Sequence, residues 1–155
     1  MQPEKSKLAS SNDEELRKLS AELRMLEQTA EALQSRLSMI NAVATDLTYA
    51  NMALENLDIE KENAELLVPI GGTSYIRAKL DNPDKIIVGL GAGVSAEKTR
   101  QEAKEIIKKR LEDLGKNQQA VQQQFVQVAD RINLDRERFE TMAAAMREGK
   151  TSQDV

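Results

Sequence analysis

Two long stretches of the chain repeat apolar residues at alternating steps of three and four. From Leu16 the first runs through Leu19, Leu23, Leu26, Ala30, Leu33, Leu37, Ile40, Ala44, Leu47 and Asn51 to Leu54, with eleven of twelve positions apolar. The second runs from Ile107 through Leu111, Leu114, Gln118, Val121, Phe125, Val128, Ile132, Asp135, Phe139 and Met142 to Met146, with ten of twelve apolar. A seven-residue apolar repeat holds one helical seam against one partner through a left-handed supercoil. No Pro or Gly interrupts residues 13 to 65. Ser11 with Glu14, and Thr99 with Glu102, have the spacing of capping boxes, and Gly149 is a natural stop. Gly115, beside the second seam, softens its helix by about 1 kcal/mol relative to Ala.

The two arms match in length. Each, at roughly 50 helical residues, would run about 75 Å. Folded back as an antiparallel pair, their residue numbers should sum to about 161. Leu54 then meets Ile107, Leu47 meets Leu114, Leu37 meets Phe125, and Leu16 meets Met146. The polar seam members Asn51, Gln118 and Asp135 either set register or admit bending.

Residues 66 to 98 carry the punctuation that both arms lack. Leu66–Ile70, Ser74–Leu80, Ile86–Leu90 and Val94–Lys98 read as short strands, and Gly71-Gly72, Asp81-Asn82-Pro83-Asp84 and Gly91 to Gly93 as turns. Two consecutive hairpins follow. Pro69 cannot donate to a ladder, so its strand belongs at an edge or Pro69 at a non-pairing position. Four such strands bury one face at most and leave edges to manage. Closure with the same elements of other chains is the economical solution. The division expected is a helix over 13–65, an oligomerisation module over 66–98, a helix over 99–148, and flexible ends at 1–12 and 149–155.

Composition narrows the chemistry. Among 155 residues there is no His and no Cys. Thiolate and imidazole metal sites, Cys nucleophiles, disulfides and His-based triads are therefore excluded. Aromatic content is 3%, namely Tyr49, Tyr75, Phe125 and Phe139, which is little for a thick globular core. The net charge is -4. Residues 13 to 65 hold twelve acids against five bases, an unpromising duplex-binding surface. No apolar run approaches the ~20 residues of a membrane span, and the opening MQPEKSKLASSNDEE lacks a signal-peptide core. A cytoplasmic protein binding neither nucleic acid nor membrane is expected. Gly89, Gly91 and Gly93 follow a strand, but Val94 stands where a dinucleotide loop needs its last Gly, so they are turn residues. Asp58 and Glu62 read as a solvated carboxylate pair, and Lys104, Lys108, Lys109 and Arg110 as a charged helix face interrupted by acids. Neither implies catalysis, and no cofactor or metal is expected.

Three segments carry a family resemblance: Glu65-Leu66-Leu67-Val68-Pro69-Ile70-Gly71-Gly72, Ser74-Tyr75-Ile76-Arg77-Ala78, and Ile87-Val88-Gly89-Leu90-Gly91-Ala92-Gly93. In this order between two equal heptad arms, they resemble the alpha class of archaeal prefoldin subunits. Two hairpins point to the alpha class, since the beta class has one. The resemblance implies an α+β fold: a long antiparallel two-helix coiled coil whose central hairpins join a shared β-barrel. It implies a hexamer of two alpha and four beta subunits. Its function would be an ATP-independent holdase co-chaperone that captures unfolded polypeptides at the coiled-coil tips and delivers them to a group II chaperonin. Subunit contacts are then expected at Leu67, Val68, Ile70, Ile76, Ile86, Ile87 and Val88. Client contacts are expected at Leu16, Leu19, Phe139, Met142 and Met146. Adaptable apolar groups suit a binder of shapeless chains, and Met is the softest of them. Ala143, Ala144 and Ala145 keep the surrounding surface low. The competing reading is a structural coiled-coil adaptor recruiting one folded partner, with these residues as plain seam.

Overall fold

A computed structural model describes the backbone of residues 3–151 and the side chains of residues 11–148. The order of elements is helix α1 (Pro3–Asn56), strands β1 (Glu65–Gly71), β2 (Ser74–Lys79), β3 (Lys85–Gly91) and β4 (Val94–Thr99), and helix α2 (Arg100–Thr151). They form two compact units. One holds Met1–Met39 with Gln118–Val155, and the other holds Ile40–Asn117.

Every indexed heptad position of both helices is buried or half-buried. The helix ends differ from the sequence expectation in three places. No cap operates at Ser11, because α1 already begins at Pro3. A proline at the first helical position loses no hydrogen bond and has its φ preset, and residues 4–10 contain no further breaker. At its other end α1 stops at Asn56, well short of 65. Its final carbonyls are met by i→i+3 turns, with Asp58 N–H donating to Glu55 at 3.1 Å and Ile59 N–H to Asn56 at 3.3 Å. The helix has no basic residue in its last turn. Arg100 takes that role from the start of α2, donating to the Leu57 carbonyl at 2.7 Å. Helix α2 runs past Gly149 to Thr151. Of the ends expected to be flexible, residues 1–2 and 152–155 lie outside the described residues.

Helix α2 starts on the capping box read from sequence. Thr99 Oγ1 accepts from the Glu102 N–H at 3.2 Å, and Glu102 Oε2 accepts from the Thr99 N–H at 2.8 Å. That reciprocal bond, and a second from the Thr99 hydroxyl, hold the Glu102 carboxyl below its usual range.

The strands form two separate two-stranded antiparallel sheets, β1–β2 and β3–β4. They are built alike. Leu66, Val68 and Pro69 face Ala78, Ile76 and Tyr75. Twenty residues on, Ile86, Val88 and Gly89 face Lys98, Ala96 and Ser95. Each sheet has an irregularity just before a two-residue turn whose residues both have positive φ: Gly72 and Thr73 in one, Ala92 and Gly93 in the other. That is the hairpin geometry whose twist matches paired strands.

The two hairpins differ in what covers them. Val88 of β3 is 6% exposed and packs with Leu54 of α1 and with Ala103 and Ile107 of α2, and Ile86 and Leu47 lie against the same cluster. Arg110 donates to the Gly89 carbonyl at 2.6 Å, and Arg100 pairs with Asp84 at 3.1 Å. On the first hairpin Leu67, Val68, Ile70, Tyr75 and Ile76 are all exposed. Its tie to the rest of the chain includes backbone bonds from Asn63 N–H to the Leu80 carbonyl and from Leu80 N–H to Ala64, at 2.7 and 2.9 Å.

Candidate functional site

Of the seven residues expected at subunit contacts, two already pack within the chain. Alternation along β3 turns Ile86 and Val88 towards the chain's own helices and Ile87 away from them. Val88 is buried and Ile86 half-buried, whereas Ile87 is 77% exposed. Leu67, Val68, Ile70 and Ile76 are exposed on the first hairpin, Leu67 at 65%. Val68 and Ile76 stand opposite one another there. They occupy the face that corresponds to Val88 and Ala96 of the second hairpin.

The residues expected to hold clients lie in the unit that contains both chain ends. The structure distributes them over two grooves. In the first, about 530 Å³, Leu16 and Ala21 of α1 meet Phe139 of α2, with Asp13, Arg17 and Arg24 along the rim. The second, about 590 Å³, brings Met142 and Leu134 together with Glu15, Glu137 and Arg138. Leu19 lines neither groove. It is 6% exposed and closed into the seam. Met146 is half-buried further along α2. Leu16 and Phe139 line one groove, and next to the hairpins Leu54 packs with Ile107, the pair that the equal-length register expects. Heptads specify which faces meet but only weakly how far the helices slide. Ion pairs also join the two helices: Arg131 with Glu22 at 3.1 Å and Arg136 with Glu27 at 2.6 Å.

Leu134 escaped the sequence reading because it lies off the seam. It is exposed, as are Met25 and Met39 on α1. An inventory of large apolar residues at the outer heptad positions would have found all three.

Polar seam residues behave individually. Asn51 makes a same-helix bond to Glu55 at 3.0 Å. Asp135 is completely buried, with Oδ2 accepting from Arg131 at 2.9 Å and Oδ1 without a hydrogen bond. The basic face of α2 is partly structural: Lys104 binds Asp58 at 2.5 Å, while Arg110 holds Gly89. Asp58 is thus not on a helical carboxylate face. It lies beyond the end of α1, bound by Lys104 and by Arg100 at 3.1 Å. Its carboxyl is held below the usual range chiefly by the Lys104 hydrogen bond.

Among the described residues no cluster of three or more acidic side chains is placed to hold a metal ion. No helix there is long and apolar enough to cross a membrane. Open apolar grooves on a paired-helix arm, together with exposed hairpin side chains, leave apolar surface available for contact with other chains.

A family model described as prefoldin subunit matches residues 26–144. The chain is 33% identical over 125 residues to prefoldin subunit alpha of Methanococcoides burtonii, covering 81% of this chain and 91% of that one. It is 34% identical over 140 residues to prefoldin subunit alpha of Methanosarcina mazei, covering 88% and 96%. Its fold is similar to a chain in the cryo-EM structure of filamentous PFD from Methanocaldococcus jannaschii, with a TM-score of 0.63 at 23% identity over 72% of this chain and 92% of that one. The chain belongs to the prefoldin family. It is a non-catalytic holdase co-chaperone subunit, of the kind that passes unfolded polypeptides to chaperonins.

Proposed function

We propose that the chain is the alpha subunit of a cytoplasmic hexamer of two alpha and four beta subunits, assembled through its hairpins into a shared β-barrel body. It grips unfolded polypeptide at the ends of its helical arms, without ATP, for transfer to a group II chaperonin. The observation that carries the gripping step is the pair of apolar grooves formed by Leu16 with Phe139 and by Met142 with Leu134. They lie in the unit that contributes nothing to the hairpins. Assembly is supported by Leu67, Val68, Ile70, Ile76 and Ile87, apolar side chains left exposed among the described residues. A two-stranded sheet is at best marginal by itself, so a partner must supply the missing face. Several weak grips on one client then add by avidity.

The test separates capture from assembly. The triple variant Phe139→Ser, Met142→Ser, Met146→Ser, assembled with beta subunits, should lose suppression of aggregation of several unrelated unfolded clients. It should keep the wild-type mass by light scattering. Undiminished suppression by an intact assembly would remove the arm ends from the function. Failure of the wild-type assembly to protect any but one client would favour a specific adaptor.

A further inference from the structure

The two grooves differ in the charge around them. On the Phe139 groove, Arg17 and Arg24 stand seven residues apart on one side of α1, and both are exposed. Neither has an ion-pair or hydrogen-bond partner among the described residues, unlike Arg131 and Arg136, which are tied to α1 glutamates. The Met142 groove carries Glu15 and Glu137, and its one cation, Arg138, lies 4.0 Å from Asp135. Cations that serve the arm's own stability should pair with its many acids. Two uncommitted guanidiniums beside an apolar floor instead match a ligand with apolar and anionic groups.

We infer that the Phe139 groove selects unfolded segments in which a large apolar side chain is flanked by carboxylates. The inference rests on the gripping role proposed for the arm ends and adds a charge preference to it. Leu16, Ala21 and Phe139 receive the apolar side chain, while Arg17 and Arg24 receive the carboxylates. Seven residues of helix span about 10.5 Å. An extended client covers that length in about three residues. The groove therefore suits a short segment with the apolar residue between two acids a few positions apart. Asp13 lies on the same rim, four residues from Arg17, and opposes the preference at that end. The Met142 groove, with its two glutamates, does not share it.

The test uses the full-length chain assembled with its partner subunits. Three fluorescein-labelled peptides share one apolar core flanked by glutamate, glutamine or lysine, and binding is read by anisotropy at low ionic strength. Wild type should bind the glutamate-flanked peptide about fivefold or more tightly than the lysine-flanked one, with the gap narrowing at high salt. The double variant Arg17→Gln, Arg24→Gln should bring the two within about twofold, with the glutamate-flanked peptide losing more affinity than the glutamine-flanked one. Glutamine is a good helix former, so the exposed helix face is preserved. Asp13→Asn should tighten the glutamate-flanked peptide, and Glu15→Gln with Glu137→Gln, which removes the acids of the Met142 groove, should not reduce its advantage over the lysine-flanked peptide. Equal binding of all three peptides by wild type overturns the charge preference and leaves the gripping role standing. A preference that survives the double arginine variant overturns its assignment to Arg17 and Arg24. No binding of any peptide by wild type overturns the gripping role as well.

Discussion

Arg131 donates to Asp135 one turn along α2 at 2.9 Å, and the same guanidinium reaches Glu22 on α1 at 3.1 Å. Both bonds raise the pKa of Arg131, the one to Glu22 most of all. A buried carboxylate is a costly member of an apolar seam, and its worth lies in specificity more than stability. Arg131 can serve both acids only when α1 and α2 stand in one register. Between the two roles open for Asp135 in the sequence, this geometry supports register.

Replacing Asp135 with Leu should therefore leave stability unchanged or raise it by up to about 4 kcal/mol, measured by urea unfolding at fixed protein concentration. The loss should appear in alignment: spin-label distances between the two helices should broaden. Arg131→Met should be worse than Asp135→Leu, because it strands the buried carboxylate. A narrow distance distribution in the Leu variant would reject the register role.

Arg100 joins three segments that sequence treats separately. It bonds the Leu57 carbonyl, Asp58 and Asp84. Arg100→Ala should cost about 2 kcal/mol, since charged hydrogen bonds in a partly buried setting are lost together. Arg100→Lys should recover only part of this, because one ammonium cannot reproduce the planar fork. The urea midpoints of the two variants decide between fork geometry and plain charge.

What the sequence made legible follows the range of each interaction. The heptads and the Thr99–Glu102 cap are local patterns, and both appear in the structure. The end of α1 was not legible, because its cap is Arg100, 43 positions away. The ion pairs between the helices escaped for a similar reason: Glu22 and Glu27 find arginines 109 positions along the chain. Hairpins were readable from their glycines, but not which one the helices would cover. The two carry similar apolar patterns, and only docking of Val88 onto Leu54 and Ile107 separates them. The pairing of Arg17 and Arg24 with Phe139 needed both helices in place.

Acid should weaken the hairpin unit through Asp58 and Glu102. Both carboxyls have lowered pKa values in the folded chain, one chiefly through Lys104 and the other chiefly through the Thr99 N–H. A carboxylate with a depressed folded value stabilises fully above its unfolded value and ceases to do so as pH falls through the folded one. Their contribution should thus be intact at neutral pH and fade below about pH 4. Glu102→Gln preserves the capping pattern but removes that titration. Its melting temperature, followed at one protein concentration, should fall less steeply with acid than that of wild type. Parallel curves would show that Glu102 does not contribute to the acid response.

Covered and uncovered hairpin residues should separate cleanly in mutation. Val88→Ala removes methyl groups from the cluster with Leu54, Ala103 and Ile107 and should cost the chain about 2 kcal/mol. Ile76→Asp with Ile87→Asp changes only exposed positions. That variant should retain wild-type helicity by circular dichroism yet fail to assemble in light scattering. An assembly of normal mass containing the double variant would exclude both residues from the subunit contact.

The two hairpin turns offer a final comparison. Both central residues of each have positive φ, a conformation that Asn and Gly accept and most other residues resist. The first turn places the β-branched Thr73 at φ 59° and the second places Ala92 at φ 49°. No other atom comes within 4 Å of a Cβ built at neighbouring Gly91, so crowding is not what shapes the second turn. Backbone preference alone should then govern substitution. Ala92→Asn makes the turn Asn-Gly and should stabilise the second hairpin by about 0.5–1 kcal/mol. Gly91→Ala should destabilise it by more than that gain, because Gly91 holds φ 103°. Hydrogen exchange at the β3–β4 amides reports both changes locally, and similar protection in the two variants would contradict control by backbone conformation.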